Sequence, residues 1–250
     1  MTRNMKRNYA WILASLVFSG LLGLASISVL MIAIPSTSAW AGTLKDNFDD
    51  GNMDGWDLSE FAPRDTWEVK NGALVVTPRD YPVGFSIGET TWKDYTIRVR
   101  AKIVKYQPTG ALECAAIWAR STSYQRRTPV YGYVFGFGAM GNKNIHCFRV
   151  DGNPLTGFNT VSKPFEWELD KWYDLKLIAE GDYFKFYVND ELVIEYTDTV
   201  YPAGKVGIAA AFSTTTAHFD DFSVTGNDVL APIEAKGKLA TSWGKIKSNQ

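Results

Sequence analysis

Three carboxylates stand at alternate positions in "KPFEWELDKWYDLKL", the stretch from Lys163 to Leu177: Glu166, Glu168 and Asp170. On a strand, side chains alternate between faces, so all three would project from one surface. Two carboxyls about 5–5.5 Å apart can share the cleavage of an acetal, one as nucleophile and the other as proton donor. Against that chemistry, positions i and i+4 of a flat strand lie about 13 Å apart, and the terminal Asp reaches less far than a Glu. Asp170-Lys171 also looks like the turn into "WYDLKL", which puts Asp170 in a loop and makes Trp167 and Leu169 the buried face. Glu166, Glu168 and Asp170 are thus the catalytic candidates, but their context favours a wet strand face.

A second constellation is aromatic and basic. Trp118 and Arg120 share parity in "AAIWARS"; Tyr131, Tyr133, Phe135 and Phe137 share parity in the next run, with Gly132, Gly136 and Gly138 between them. Arg149 follows in "HCFRV", and Tyr124, Arg126 and Arg127 lie on the connection between the first two runs. Rings stack on the C–H face of a saccharide, and guanidinium groups hydrogen-bond its hydroxyls. The competing reading makes the four-ring stripe core, with the glycines letting another backbone approach, and the stripe itself leans that way. Guanidinium groups are seldom buried unpaired, which assigns Trp118, Arg120 and Arg149 to an outward binding face, with Tyr133, Tyr124 and Arg126 as further contacts.

Other chemistry is sparsely represented. The 250 residues include two histidines, His146 and His218, and no His/Cys cluster at zinc-ligand spacing. Neither a Gly-x-Ser-x-Gly elbow nor a phosphate-cradling Gly-Lys loop occurs.

The elements that would carry these groups are strands. After Gly42, short alternating runs recur between turn signals. In "YTIRVRAKI" the residues Tyr95, Ile97, Val99, Ala101 and Ile103 face one way and the charged ones the other. Asn71-Gly72, Gly181-Asp182 and Asn189-Asp190 each separate two such runs, as hairpin turns do. About a dozen strands at this spacing predict an all-β, two-sheet antiparallel sandwich over residues 42–226.

Residues 1–41 stand apart. Arg3, Lys6 and Arg7 precede an apolar run from Tyr9 to Ile34, then "STSAWAG", where Ala39-Trp40-Ala41 fits a cleavage signal. This predicts export by a signal peptide, or an uncleaved N-terminal anchor, since the run is long enough to span a bilayer. Taking three from the 26 basic residues leaves 23 against 27 acidic ones, a balance unsuited to nucleic acid. Residues 227–250 form a basic, turn-rich tail. Cys114 and Cys147 are separated by the strand "YGYVFGF", so a meander puts them about 9–10 Å apart, beyond the ~7 Å reach of a disulfide. Two buried thiols is the plainer expectation, with pairing after export the alternative.

In order along the chain, "DNFDDGNMDGWD", "WEVKNGAL", "WKDYTIRVRAKI", "AAIWARS", "YGYVFGF", "DKWYDLKLIAEGDYFKFYVNDELV" and "GKVGIAAAF…AHFDDFSVTG" resemble the concanavalin A-like, laminin-G-like jelly rolls of secreted bacterial proteins. The resemblance covers residues 44–226. Families of this appearance include carbohydrate-binding modules, glucanases and 3-keto-disaccharide hydrolases, which implies a jelly-roll fold and association with glycans. Jelly-roll glucanases carry Glu-x-Asp-x-Glu where this chain has Glu-x-Glu-x-Asp, so the resemblance does not extend cleanly to catalysis. It leaves three readings: a non-catalytic module binding a carbohydrate or glycoconjugate outside the cytoplasm, a glycoside hydrolase of the same fold, or an adhesive surface module that contacts protein.

One metal site also suggests itself. Asp50, Asn52, Asp54 and Gly55 fit the start of a calcium loop, although Phe61 stands where a bidentate Glu is required. Phe219 and Phe222, three apart in "HFDDFSV", require a bulge at Asp220-Asp221 if both are buried. In a jelly roll the first and last strands commonly pair, which would bring Asp221 towards the N-terminal turn. Asp50, Asn52, Asp54 and Asp221, with backbone carbonyls, are the candidate ligands of a structural Ca²⁺; the competing reading is a polar turn bonded to its own backbone.

Overall fold

The computed structural model describes residues 41–58, 64–79, 82–106, 114–121, 130–138, 143–152, 157–211 and 215–229. Residues 1–40, residues 230–250, and Tyr124, Arg126 and Arg127 lie outside them. The regular elements of the described residues are all strands apart from one 3-10 turn, Arg64–Thr66. The strands are β1 Gly42–Asp46, β2 Asp57–Leu58, β3 Trp67–Lys70, β4 Ala73–Val76, β5 Val83–Ile87, β6 Tyr95–Lys105, β7 Cys114–Ser121 and β8 Val130–Phe137. They continue as β9 Asn144–Gly152, β10 Gly157–Pro164, β11 Tyr173–Glu180, β12 Tyr183–Val188, β13 Glu191–Thr197, β14 Lys205–Ala211 and β15 Thr216–Gly226.

Two antiparallel sheets result. One has the order β13-β12-β11-β6-β15-β4-β3 with β1 also on β15; the other runs β10-β9-β8-β7-β14-β5-β2. The three turn dipeptides make the hairpins their types demand. Asn71, Gly72, Asn189, Asp190 and Gly181 all take positive φ, the region those tight turns require. The first and last strands pair, with Asp46 opposite Phe222. The β15–β6 register slips between Asp220 and Ser223. Asp221 sits there at φ 50°, so Phe219 and Phe222 are both buried in the core.

The sheets differ in their second faces. In β6 burial alternates as the sequence indicates, and Arg98, Arg100 and Lys102 leave the eight-stranded sheet with a charged, wet surface. β7, in contrast, is buried at every position. Its Ala115, Ile117 and Ala119 join the core between the sheets, while Cys114, Ala116 and Trp118 join a second apolar cluster with Val134, Phe148 and Val150. The seven-stranded sheet is therefore apolar on both sides. Core packing extends past the last strand, where Val229 is fully buried and donates its N–H to the Gly226 carbonyl.

The acidic stretch is not a strand. β10 ends at Pro164, which has no N–H to offer a ladder, and residues 165–172 carry the chain from the seven-stranded sheet to β11 in the other. Trp167 anchors this crossing, packed edge-on against Tyr106 at 4.9 Å and tilted against Phe137 at 5.8 Å. Leu169 is 54% exposed, so only Trp167 fulfils the expected buried face.

Candidate functional site

Because the crossing has no period-two geometry, its three acids diverge. Glu166 pairs with Lys143, Glu168 with Lys171 and Asp170 with Lys102, and all three carboxylates are largely exposed. Hydrogen bonds from Lys171 and Lys102 hold the Glu168 and Asp170 carboxyls below their usual range. A proton donor needs the opposite shift. The expectation of a shared catalytic face at Glu166, Glu168 and Asp170 is corrected: each caps its own lysine at the surface.

The expected binding face is corrected as well. Tyr133 is fully buried in the core between the sheets, with Phe135 and Phe137, so the ring stripe faces inward. Arg120, 1% exposed, also points inward. The β14–β7 register slips there, between Gly207 opposite Trp118 and Lys205 opposite Ser121, and Arg120 takes φ 49°. This bulge breaks the parity with Trp118 that the sequence implies. The guanidinium donates to the carbonyls of Tyr201 (3.1 Å), Lys93 (3.3 Å) and Gly181, and lies 4.7 Å above the Phe184 ring. Gly204 is tight against it: a Cβ there would come within 2.3 Å of the Arg120 carbonyl carbon. Trp118 does face away from the main core, but within the second apolar cluster, and it is 4% exposed.

Arg149 has the core-side parity of Cys147 and emerges at the end of the sandwich, its side chain 16% exposed. There it organises a polar rim. Its Nε–H and one Nη2–H donate to Asp151 at 2.9–3.0 Å, and an Nη1–H donates to Asp198 at 2.6 Å. The Tyr201 hydroxyl donates to Asp151 at 2.7 Å, and the Tyr133 hydroxyl to Asp198 at 2.8 Å. The Asp198 carboxylate also accepts the Val200 N–H at 2.9 Å, and the Tyr131 and Tyr201 rings lie 5.7 Å apart. Arg149 hydrogen bonds hold Asp151 below the usual carboxylate range. Burial pushes Asp198 upward, but bonds from Val200, Tyr133 and Arg149 outweigh it and leave the group depressed. Both carboxylates are thus ionised around one guanidinium.

This arrangement leaves binding capacity. Arg149 has five N–H donors, and the rim uses three of them. The Asp151 side chain is 27% exposed, with lone pairs remaining beyond those the guanidinium and Tyr201 occupy. Of the rim, the sequence points to Arg149 and Tyr133. Asp151 was legible in principle, since Arg-x-Asp on one strand shares a face; Asp198 and Tyr201, in the β13–β14 connection, give no such signal.

The calcium residues are not gathered. Asn52 accepts the Asp54 N–H at 2.8 Å and Asp50 accepts the Asn52 N–H at 3.3 Å, successive turns closed on their own backbone. Asp221 lies instead beside Arg100, at 3.4 Å. Among the described residues no group of three or more His, Cys, Asp or Glu side chains could hold a metal ion.

On the outer face of the seven-stranded sheet, one more group stands out. His146 is 2% exposed and stacks on Phe148 at 5.4 Å and 18°, with neither ring nitrogen hydrogen-bonded. Burial lowers its pKa to about 3, so the imidazole is neutral.

Known proteins share this architecture. The chain is 27% identical over 157 residues to a levanase of Bacillus subtilis (strain 168), a match that takes in 63% of this chain and 21% of the levanase, so the chain spans about a fifth of that relative's length. The carbohydrate binding module CBM66 from Bacillus subtilis superposes with a TM-score of 0.56 at 22% identity, over 70% of this chain and 98% of the module. A Bacillus licheniformis beta-glucanase gives 0.55 at 11% identity, over 74% and 98%. These two likenesses establish the concanavalin A-like jelly roll. Residues 43–225 match the 3-keto-alpha-glucoside-1,2-lyase-like domain, and the chain belongs to that family.

Proposed function

We propose that the protein binds a carbohydrate without cleaving it, outside the cytoplasm, with the rim around Arg149 as a recognition site. The observation that carries this reading is the half-buried Arg149–Asp151–Asp198 cluster, fixed by Tyr133 and Tyr201 and still holding two N–H donors and carboxylate lone pairs. Planar donors and acceptors locked in place beside tyrosine rings suit adjacent hydroxyls, because little side-chain entropy remains to be lost on binding. Support also comes from the levanase and CBM66 likenesses and, for location, from the leader-like residues 1–41. Glycan-array binding with no sugar released is the expected result. Arg149→Lys keeps the charge but loses the fork, and is expected to weaken binding by about tenfold or more, one lost hydrogen bond to a charged group being worth ~1.5–3 kcal/mol. Unchanged binding in that variant would remove the rim from the proposal.

A second reading is enzymatic, and the family match favours it, since that family is described by a lyase activity on 3-keto-α-glucosides. Incubating the purified protein with such a glucoside and following release of the aglycone separates the two. Turnover would replace the binding module with an enzyme.

A further inference from the structure

The outward side of the seven-stranded sheet is sealed from water. Its apolar cluster spreads over β9, β8, β7 and β14, and no member is more than 4% exposed. Such burial belongs to an interior; a sheet face that meets water gives the alternation seen along β6. Yet among the described residues there is no third layer, since all fifteen strands lie in the two sheets. Beside Pro82, Trp118 and Phe148 a hollow of about 20 Å³ stays open, room for about one water. The cover therefore comes from chain outside the described residues.

Length and attachment narrow the choice. The longest internal stretch outside the described residues, 122–129, has eight residues tied at both ends, to β7 and β8, and carries Arg126 and Arg127. An out-and-back path of that length reaches about 13 Å from the strand ends, and its guanidinium groups are unsuited to a dry centre. Residues 1–41 read as a leader, which cleavage or a bilayer takes away from the domain. Residues 230–250 remain, twenty-one that return to no described strand. Their starting point is fixed. Val229 is fully buried and donates its N–H to Gly226, whose partner Tyr95 reaches across the core to accept the Arg120 N–H at 2.9 Å. The tail thus leaves the sandwich at the end where β7 finishes. Crossing the sheet separation takes about four extended residues. The rest can span the cluster, which is three strand spacings or about 14 Å wide, in any regular conformation.

The side chains also match. Leu239, Trp243 and Ile246 stand at i, i+4 and i+7, one stripe of a helix, with Lys238 and Lys245 turned away from it. On the sheet, Gly136, Ala116 and Ala209 lie side by side, so close that a Cβ on Gly136 would come within 2.6 Å of that of Ala116. Phe148, Val134 and Trp118 stand taller in the next row. Small residues beside large ones make a furrow that a ring can fill.

We infer that residues 230–250 form the missing layer: the tail rounds the end of β7 and docks on the outer face of the seven-stranded sheet, with Leu239, Trp243 and Ile246 against the apolar cluster. This is independent of the rim reading, because Phe148 and Arg149 project from opposite sides of β9.

Cys114 reports on the cover, and Cys147, in the core between the sheets, is the internal control. In the full chain, Leu239→Asp combined with Trp243→Asp is expected to keep the strand signal in circular dichroism. Cys114 should then react with a chromogenic disulfide reagent at least tenfold faster, while Cys147 stays unreactive. Hydrogen exchange of the unaltered chain needs no variant to fold: amides of residues 239–247 should exchange at least tenfold more slowly than in a free peptide of that sequence. Exchange at the free-peptide rate overturns the assignment, as does a folded double variant whose Cys114 stays as slow as in wild type. A Cys114 that opens on removal of residues 1–41, or on dilution of a sedimenting dimer, overturns it too and makes the leader or a second copy the cover.

Discussion

An imidazole that is buried, neutral and unpartnered makes stability depend on pH. His146 has a folded pKa of about 3, whereas an unfolded histidine titrates near 6.5. Between those values the unfolded chain binds one proton more than the native one, so stability rises with pH. It is fully present above about pH 6.5 and drains away as pH falls towards 3, at up to ~1.4 kcal/mol per pH unit. His218 is also lowered by burial and contributes in the same direction, so the wild-type slope alone does not isolate His146. Urea unfolding of wild type and His146→Phe at several pH values does: the variant's advantage is expected to grow steadily as pH drops from 6.5 to 4. A constant difference would mean that His146 can pick up a proton in the folded state. None of this was legible in "NIHCFRV", where parity gives the residue a face but cannot say whether its nitrogens find partners.

At the scale of elements, two bulges decide where side chains go, and only one could be read in advance. Phe219 and Phe222 cannot both face the core on a regular strand, so their spacing betrays the irregularity at Asp220-Asp221. "AAIWARS" alternates without conflict, and nothing in it announces that Arg120 turns inward. Its reason lies far away in sequence: the guanidinium fastens the loop before β6, the β11–β12 turn and the β13–β14 connection through Lys93, Gly181 and Tyr201. Arg120→Met is therefore expected to cost ~2–4 kcal/mol in urea unfolding, since it removes three hydrogen bonds made by one buried guanidinium, while saccharide affinity per folded molecule stays as it was. Loss of affinity with intact stability would restore Arg120 to the binding face. The acidic crossing misled for a similar reason. Alternation of Glu166, Trp167, Glu168 and Leu169 imitates a strand, but Pro164 ends the ladder and one tryptophan anchors the chain between sheets. In the acidic first turn the side chains of Asp50 and Asn52 accept N–H groups of their own backbone, so a chelator is expected to leave the thermal midpoint unchanged; a fall would reveal a bound cation.

The described residues form a sandwich whose two sheets differ in their second faces, one charged and wet and the other apolar and buried, and the cysteines register that asymmetry. The alternation of β6 announces one wet face, whereas the unbroken burial of β7 could have been read as a strand apolar on either side. Which residues of β7 turn outward emerges only from the partition of two clusters. Cys114 belongs to the outer one and Cys147 to the core between the sheets, on strands separated by β8. Two strand spacings and opposite faces keep the sulfurs from meeting while the sheet is intact. Burial raises the Cys147 thiol well above its usual range, which withholds the thiolate that oxidation and exchange require. Even in an oxidising compartment, both side chains are expected to remain thiols. A chromogenic disulfide reagent should find neither in the native protein and two after denaturation, and the mass under non-reducing conditions should match the reduced chain. A native Cys114–Cys147 bond would instead require β7 and β9 to approach without β8 between them, and would overturn the strand order that positions the Arg149 rim.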